Sequence, residues 1–383
     1  MTYDAIVIGL GGMGSATVAH LAKRGYRALG LDANRRLHAL GSSHGDGRII
    51  REAYFEAPQY VPLVQRAYQL WRELEAESGR DLLTITGGLN FGTPDSEFVS
   101  GSIASAVEHG LPYELLDHRQ VAERFPGFRL SDDLVAVYEP NAGILRPEAC
   151  VDAHLDLAAK HGADLRFEQA ARRWSADGDG VRVETDAGTF AADCLIVTAG
   201  PWSGEVLRAL DLPLEAWRIV NVHFASSTPE PFAVDRCPVY LFQVPEGDYY
   251  GFPYVPGQGV KIGRHDIGEV CTPATIRRDI DAAEIEMLRA ALDRYLPGAS
   301  GPVIKTLTCM YTNTPDRHFI LDTVAGQENV VYGCGFSGHG FKFASAIGET
   351  LAELAMEGST RCDIGFLSAG RAAIREASTS SVS

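Results

Sequence analysis

Short apolar runs lie near both ends of this chain, and each leads into a cluster of glycines. Ala5-Ile6-Val7-Ile8 has no polar position inside it, the pattern of a strand buried on both faces. Gly9-Leu10-Gly11-Gly12-Met13-Gly14 follows at once, then a helical stretch over 15–24, then Ala28-Leu29-Gly30-Leu31 as a second strand ending on Asp32. Near the other end, Asn329-Val330-Val331-Tyr332 predicts a strand, 333–340 a glycine-rich loop, and 341–357 a helix stopped by Gly358. Between these blocks, residues 58–78 put Val61, Val64, Ala67, Tyr68, Trp71 and Leu74 on one stripe of an amphipathic helix. Pro147 opens another helix at its first turn and Gly162 closes it. Strands are expected over 163–170 and 181–185, and Cys194-Leu195-Ile196-Val197-Thr198 reads as a fully buried one. A helix over 281–296 is stopped by Pro297-Gly298. Runs rich in Val, Tyr and Phe, as at 218–225 and 249–254, predict further strands, and 377–383 is expected to be a frayed tail.

The first block has the order strand, turn, helix, strand, acid, which is the order of a dinucleotide clamp. In that arrangement Gly9 permits the tight turn, Gly11 lets the backbone approach a pyrophosphate, and Gly14 lets helix and strand pack closely. Free amides at the helix N-terminus favour phosphate charge. Asp32 stands where a carboxylate can accept hydrogen bonds from a ribose diol. A simple NAD domain completes its nucleotide contacts in the first half of the fold. Here a second strand–glycine loop–helix unit lies more than 300 residues downstream, with antiparallel-looking sheet between. Contacts from both chain ends suit FAD, a long cofactor with two ends to hold.

Composition narrows the partners. A chain of 383 residues can build two domains with real cores, and 45% hydrophobic with 22% charged residues is ordinary for a soluble protein. No apolar run approaches the roughly 20 residues of a membrane helix. The first strand starts almost at residue 1, which leaves no room for a secretory signal, so the cytoplasm is expected. A net charge of −16 argues against nucleic acid, and an anionic substrate would need a local cluster of cations. Cys150, Cys194, Cys237, Cys271, Cys309, Cys334 and Cys362 are odd in number and widely spaced, with no C-x-x-C pair. A reducing compartment and no metal site are therefore expected, most thiols serving as small buried apolar groups.

Four stretches carry candidate chemistry. In 41–51, a small polar loop containing Ser42, Ser43 and His44 leads into Arg48 and Arg51. Guanidinium is the natural partner of a carboxylate. The alternative, a surface ion pair with Glu52 or Glu56, is slightly favoured by the bare sequence. In an extended 260–265, Lys261, Gly263 and His265 share one face and look into the same space; an exposed edge strand is the commoner meaning of such a pattern. Tyr250, Phe252 and Tyr254 likewise share a face, as do Cys309 and Tyr311, where simple packing is the usual explanation. The last is the glycine-rich loop ending at Lys342.

Together, 41–51, Lys261 with His265, 309–316, and Phe336-Ser337-Gly338-His339-Gly340-Phe341-Lys342-Phe343 make the chain resemble the monomeric sarcosine oxidase and N-methyltryptophan oxidase family, in order and over essentially its whole length. The resemblance implies FAD bound through Gly9, Gly11, Gly14, Asp32, Ser42, His44, Arg48, Gly338, Gly340 and Lys342. It also implies a thioether from Cys309 to the flavin 8α-methyl carbon, a linkage whose chemistry needs a thiolate nucleophile. Arg51 and Lys342 match the pair that holds the substrate carboxylate. Arg48 matches an arginine beside the flavin and Lys261 the lysine that assists reaction with dioxygen. Tyr250, His265 and Tyr311 match residues that position the amine. The implied reaction is oxidation of a secondary amino acid, such as sarcosine or another N-methyl or cyclic amino acid. A hydride equivalent passes to the flavin, and dioxygen is then reduced to hydrogen peroxide. Ser43 stands where the family often has histidine, Gly47 where it has threonine and Phe55 where it commonly has glycine; Arg264 and Arg317 also differ from several relatives.

The expected architecture is a mixed α/β fold. A Rossmann-like, discontinuous FAD-binding domain spans 1–84, 150–216 and 310–383. A second, mostly antiparallel-sheet substrate domain spans 85–149 and 217–309. The resemblance further implies a monomer whose partners are a small amino acid and dioxygen, with no nucleic acid or membrane. Two alternatives stay open at this point: a dehydrogenase of the same fold passing electrons to a quinone or protein, and a flavin-binding protein without turnover.

Overall fold

The computed structural model describes residues 2–177 and 180–380. Its first layer is a sheet built around β1 (Tyr3–Ile8). Ala5, Ile6 and Val7 are fully buried, as an uninterrupted apolar run requires when both faces are covered. β1 pairs in parallel with β2 (Ala28–Leu31) on one side and with the strand Gly188–Val197 on the other, Val7 facing Gly30 and Ile196. Gly188–Val197 in turn pairs in parallel with Gln327–Cys334, so both ends of the chain enter one sheet. α1 (Gly12–Lys23) packs on this sheet between the helices Pro147–Lys160 and Ala344–Glu357.

The turn after β1 has no room for a side chain. Gly9 has φ +90°, and a Cβ there would lie 2.5 Å from the Thr198 carbonyl oxygen. A Cβ on Gly14 would lie 1.7 Å from the Gly9 carbonyl oxygen, so α1 can start this close to the strand only with glycine.

The second layer is a nine-stranded sheet, all antiparallel except where Val239–Val244 meets Gly88–Gly92. Near one end of it, Glu215–Phe224 carries Val303–Asn313 along one edge and Gly259–Arg264 with Glu269–Cys271 along the other. Stacked rings fill its core, Phe91 on Phe242 at 4.7 Å and Phe242 on Tyr249 at 4.9 Å. A small third sheet joins β3 (Arg48–Ile50), Gly143–Leu145 and Leu83–Ile85.

Several expectations change; the helix expected over 341–357, for one, begins with a 3₁₀ turn, Phe341–Phe343, before Ala344–Glu357. The strand expected over 163–170 is confined to Asp164–Arg166, because its partner β2 is four residues long and the ladder ends with it. The helix expected over 58–78 begins with one 3₁₀ turn, Pro58–Tyr60, before α2 (Val61–Ser78), which Gly79 ends in the left-handed conformation. Residues 377–380 are not frayed but belong to the helix Ala372–Ser380, which buries Ile374; 381–383 lie outside the described residues. Among the described residues no helix is long and apolar enough to cross a membrane.

Gly14→Ala is expected to cost about 1–3 kcal/mol through overpacking against backbone that cannot yield. The check is the urea midpoint of unfolding; an unchanged midpoint would show that the turn relaxes.

Candidate active site

A cleft of about 420 Å³ runs along the carboxyl ends of the parallel strands, where open α/β sheets bind ligands. Gly9, Gly11, Asp32, Ser42, Arg48, Cys309, Gly338 and Gly340 line it. Gly14 sits behind, packed on the turn. Asp32 is buried, and its carboxylate accepts the Leu10 and Asn34 amides at 2.8 Å each. These bonds hold the carboxylate at the cleft wall. The first turn of α1 has no acidic residue and faces the cleft, and the Gly12 amide donates to Ser43 Oγ at 2.9 Å. A helix N-terminus without negative charge, next to a fixed carboxylate, fits the pyrophosphate and ribose of a dinucleotide.

A smaller cavity of about 70 Å³ adjoins the cleft. Arg48, Cys309, Tyr311, Gly338 and Phe341 line both spaces, so the two meet there. Tyr311 closes against Gly338, where a Cβ would lie 2.4 Å from its ring. Residues 250–265 and 309–311 come from the second sheet, Arg48 and Ile49 from β3 of the third, and 51–56 and 338–342 from the segments that follow β3 and the strand Gln327–Cys334.

Buried cations dominate the small cavity. Arg51 is not the surface group that the bare sequence slightly favours. It is 2% exposed, donates to the Ala53 carbonyl at 3.0 Å, and pairs with Glu56 at 2.5 Å. Its guanidinium lies between the Tyr54 and Phe55 rings, 4.3 and 4.1 Å from their centroids. Lys342, also buried, donates to the His339 carbonyl at 2.7 Å and to the Tyr54 hydroxyl at 3.4 Å. Burial, reinforced by Arg51 and partly offset by Glu56, lowers the Lys342 ammonium to about 7. Burial pushes the Glu56 carboxyl up, but Arg51, His339 and Lys342 overcome it and hold it at about 2.

Other groups are neutral. Burial lowers His265 to about 4, and its Nδ1 lies 3.3 Å from the Tyr311 hydroxyl. Tyr250 donates to Asn221 Oδ1 at 2.8 Å, while Asn221 Nδ2 stands 4.0 Å from Cys309 Sγ. Burial raises the Cys309 thiol, against the opposing pull of Arg48 and Lys261.

Arg48 staples the preceding loop, donating to the carbonyls of Ser42 at 2.8 Å, His44 at 2.6 Å and Gly47 at 2.8 Å. His44 lines neither space; burial, then Arg48, lowers it to about 4. Lys261 and His265 do not look into one space. His265 reaches the small cavity, whereas Lys261 is covered by the strap 45–47 and donates to the Gly45 and Gly47 carbonyls at 2.7 and 3.1 Å. Nor is their strand an exposed edge: it lies between two neighbours, and Lys261 is 4% exposed. Burial, then Arg48, brings Lys261 down to about 7.

Sequence reasoning missed several members. Glu56 entered it as a surface partner or a neighbour of Phe55 at the pocket rim, not as the buried counter-ion of Arg51, and His339, Tyr54 and Asn221 were given no role. Glu139, on Val135–Glu139, accepts the amides of Glu52 and Ala53 and so fixes the backbone beside Arg51. The pair is 87 positions apart, and nothing local marks it.

The cleft and its glycine turn define a dinucleotide-binding oxidoreductase fold, and the model of the family described as FAD dependent oxidoreductase matches residues 4–354. Monomeric sarcosine oxidase of Streptomyces avermitilis is 44% identical over 377 residues, covering 97% of this chain and 98% of that protein. N-methyl-L-tryptophan oxidase of Salmonella arizonae is 36% identical over 369 residues, covering 95% and 97%. The solved open form of NikD, described as an unusual amino acid oxidase essential for nikkomycin biosynthesis, matches with a TM-score of 0.85 and 28% identity, over 96% of this chain and 97% of its own. The chain belongs to the monomeric sarcosine oxidase and N-methyltryptophan oxidase family of FAD-dependent oxidoreductases.

Burial raises the Glu139 carboxyl from 4.5 to about 7. A folded value above the unfolded one means stability that is fully present below pH 4.5 and is lost as pH rises to 7, by an amount on the order of 3 kcal/mol. Glu139→Gln cannot ionise. Its unfolding free energy relative to wild type should therefore improve across that window in denaturant titrations at pH 4.5 and 7.5, and a constant difference would count against the assignment.

Proposed function

We propose that this protein is an FAD-dependent oxidase of secondary amino acids, sarcosine or another N-methyl or cyclic amino acid. The observation that carries this reading is the pair of buried cations, Arg51 and Lys342, on a cavity that meets the cofactor cleft at Cys309. Arg51 and Lys342 hold the substrate carboxylate, and His265, Tyr250 and Tyr311 orient the amine. His265 is neutral at pH 7 and so adds no further positive charge beside the amine. The flavin, when bound, supplies acceptance of the hydride equivalent and its delivery to dioxygen.

Gly9, Gly11, Gly14, Asp32, Ser42, Gly338 and Gly340 form the cofactor cradle, with Arg48 and His44 shaping the loop at its edge. Lys261, charged below about 7 and held behind that loop, would favour the negative charge that develops on dioxygen when the flavin is bound. Cys309, at the junction of the two spaces, is the residue proposed to hold FAD covalently. The nucleotide domain is assigned to 1–84, 150–216 and 310–383 and the substrate domain to 85–149 and 217–309. We propose a cytoplasmic monomer; seven free thiols support a reducing compartment.

Under air, the purified protein with sarcosine or proline is expected to release peroxide in proportion to amine consumed; flavin reduced by amine without peroxide release would point to another acceptor. Removing one charge-assisted bond, as in Arg51→Gln or Lys342→Gln, should raise KM about 10- to 100-fold, from a loss of about 1.5–3 kcal/mol. Because Lys342 is charged only below about 7, affinity for a carboxylate ligand is full at low pH and weakens as pH rises through 7. Lys342→Gln should flatten that profile in calorimetric titrations. Acid precipitation should leave a yellow pellet from wild type and a yellow supernatant from Cys309→Ser.

A further inference from the structure

Phe55 forms one wall of the small cavity and is fixed from three sides. Its ring stacks on Phe98 of α3 (Glu97–His109), with centroids 4.2 Å apart and planes 27° off parallel. Its other neighbour is the Arg51 guanidinium at 4.1 Å. Gly101 of α3 meets its backbone, and a Cβ there would lie 2.6 Å from the Phe55 carbonyl oxygen. Leu241 completes the same apolar group. A ring held in this way cannot swing aside to admit a larger ligand, and the cavity it bounds is about 70 Å³.

We propose that Phe55 is the specificity-determining residue of this site, a fixed size filter beside the acid clamp. It admits amino acids with a small N-alkyl group or a compact ring and excludes those that carry an aromatic side chain. The inference rests on the amine-oxidase reading for its substrate class. The filter itself depends only on the position of Phe55 next to Arg51. A wall that already touches the guanidinium limits what can be attached to a carboxylate bound there. Phe98 and Leu241 stand behind it, so removing the ring opens space toward α3 and not toward solvent.

The experiment has a binding arm and a turnover arm, both on the FAD-loaded protein. Calorimetry of methoxyacetate and indole-3-acetate should show wild type preferring the smaller acid by about tenfold or more, the scale on which a rigid pocket discriminates size. Phe55→Ala should bring the two within about threefold of one another. In turnover, the ratio of kcat/KM for N-methylphenylalanine over sarcosine should rise about tenfold or more in Phe55→Ala. Phe55→Leu, which keeps an apolar side chain on Phe98, should give a smaller rise, and Phe98→Ala enlarges the space from behind if the first variant does not fold. A wild type that binds both acids alike, or a variant that weakens both equally, overturns the filter. If no amino acid reduces the flavin in wild type while the binding preference holds, the oxidase reading fails and the filter stands.

Discussion

Two cations buried in one small cavity set the terms for everything around them. Moving Arg51 and Lys342 out of water is costly unless an anion accompanies them, and Glu56 supplies that anion within the chain. The same arrangement leaves Lys342 close to losing its proton near neutrality, because burial and then the like charge of Arg51 push it down and Glu56 only partly offsets them. A ligand carboxylate entering the cavity brings a second negative charge into a place already desolvated, where an ion pair is worth more than at the surface. The tyrosine and phenylalanine faces on either side of Arg51 add attraction without adding charge. They also fix the plane in which its hydrogen bonds can be made.

That cluster exists because two sheets meet. The parallel sheet ends in glycine turns that must be tight, since a side chain at Gly9 would strike the Thr198 carbonyl. Its carboxyl edge therefore opens into a cleft. The antiparallel sheet lays Tyr250, Cys309 and Tyr311 across the far end of that cleft; Glu215–Phe224 and Gly259–Arg264 stand between their two strands, in a register that places Ile219 opposite Cys309, Asn221 opposite Gly263 and Gly263 opposite Tyr250. The strap 45–47, pinned by Arg48 on one side and Lys261 on the other, closes the remaining gap. The dinucleotide cleft and the small cationic cavity are in this way two ends of one space, with Cys309 where they join.

Charge and exclusion of water act together here. The whole chain is strongly acidic, so the carboxylate of a ligand is disfavoured at long range and must be won at short range. Burial makes that local contest winnable, and the neutral state of His265 keeps a further positive charge out of a cavity already lined by Arg48, Arg51 and Lys342.

The local chain alone determined the nucleotide end. β1, its glycine turn, α1, β2 and Asp32 are contiguous, and their physics is that of neighbours: apolar runs make strands, glycine makes the turn, the acid ends the second strand. The last strand, loop and helix were legible for the same reason, and family resemblance brought in the four motifs that line the far end. What the sequence could not reveal was who pairs with whom across space. The bare residues slightly favoured Arg51 as a surface partner of Glu52 or Glu56, resemblance alone made it a ligand clamp, and only tertiary packing buried it against Glu56 with its guanidinium between two rings. It aimed Lys261 and His265 into one space, and a loop from elsewhere in the chain covered the lysine. The Glu139 carboxylate under the Arg51 backbone and the Phe98 ring behind Phe55 come from strands and helices distant in sequence. Desolvation and close packing arise only when such segments meet, and no spacing along the chain records them.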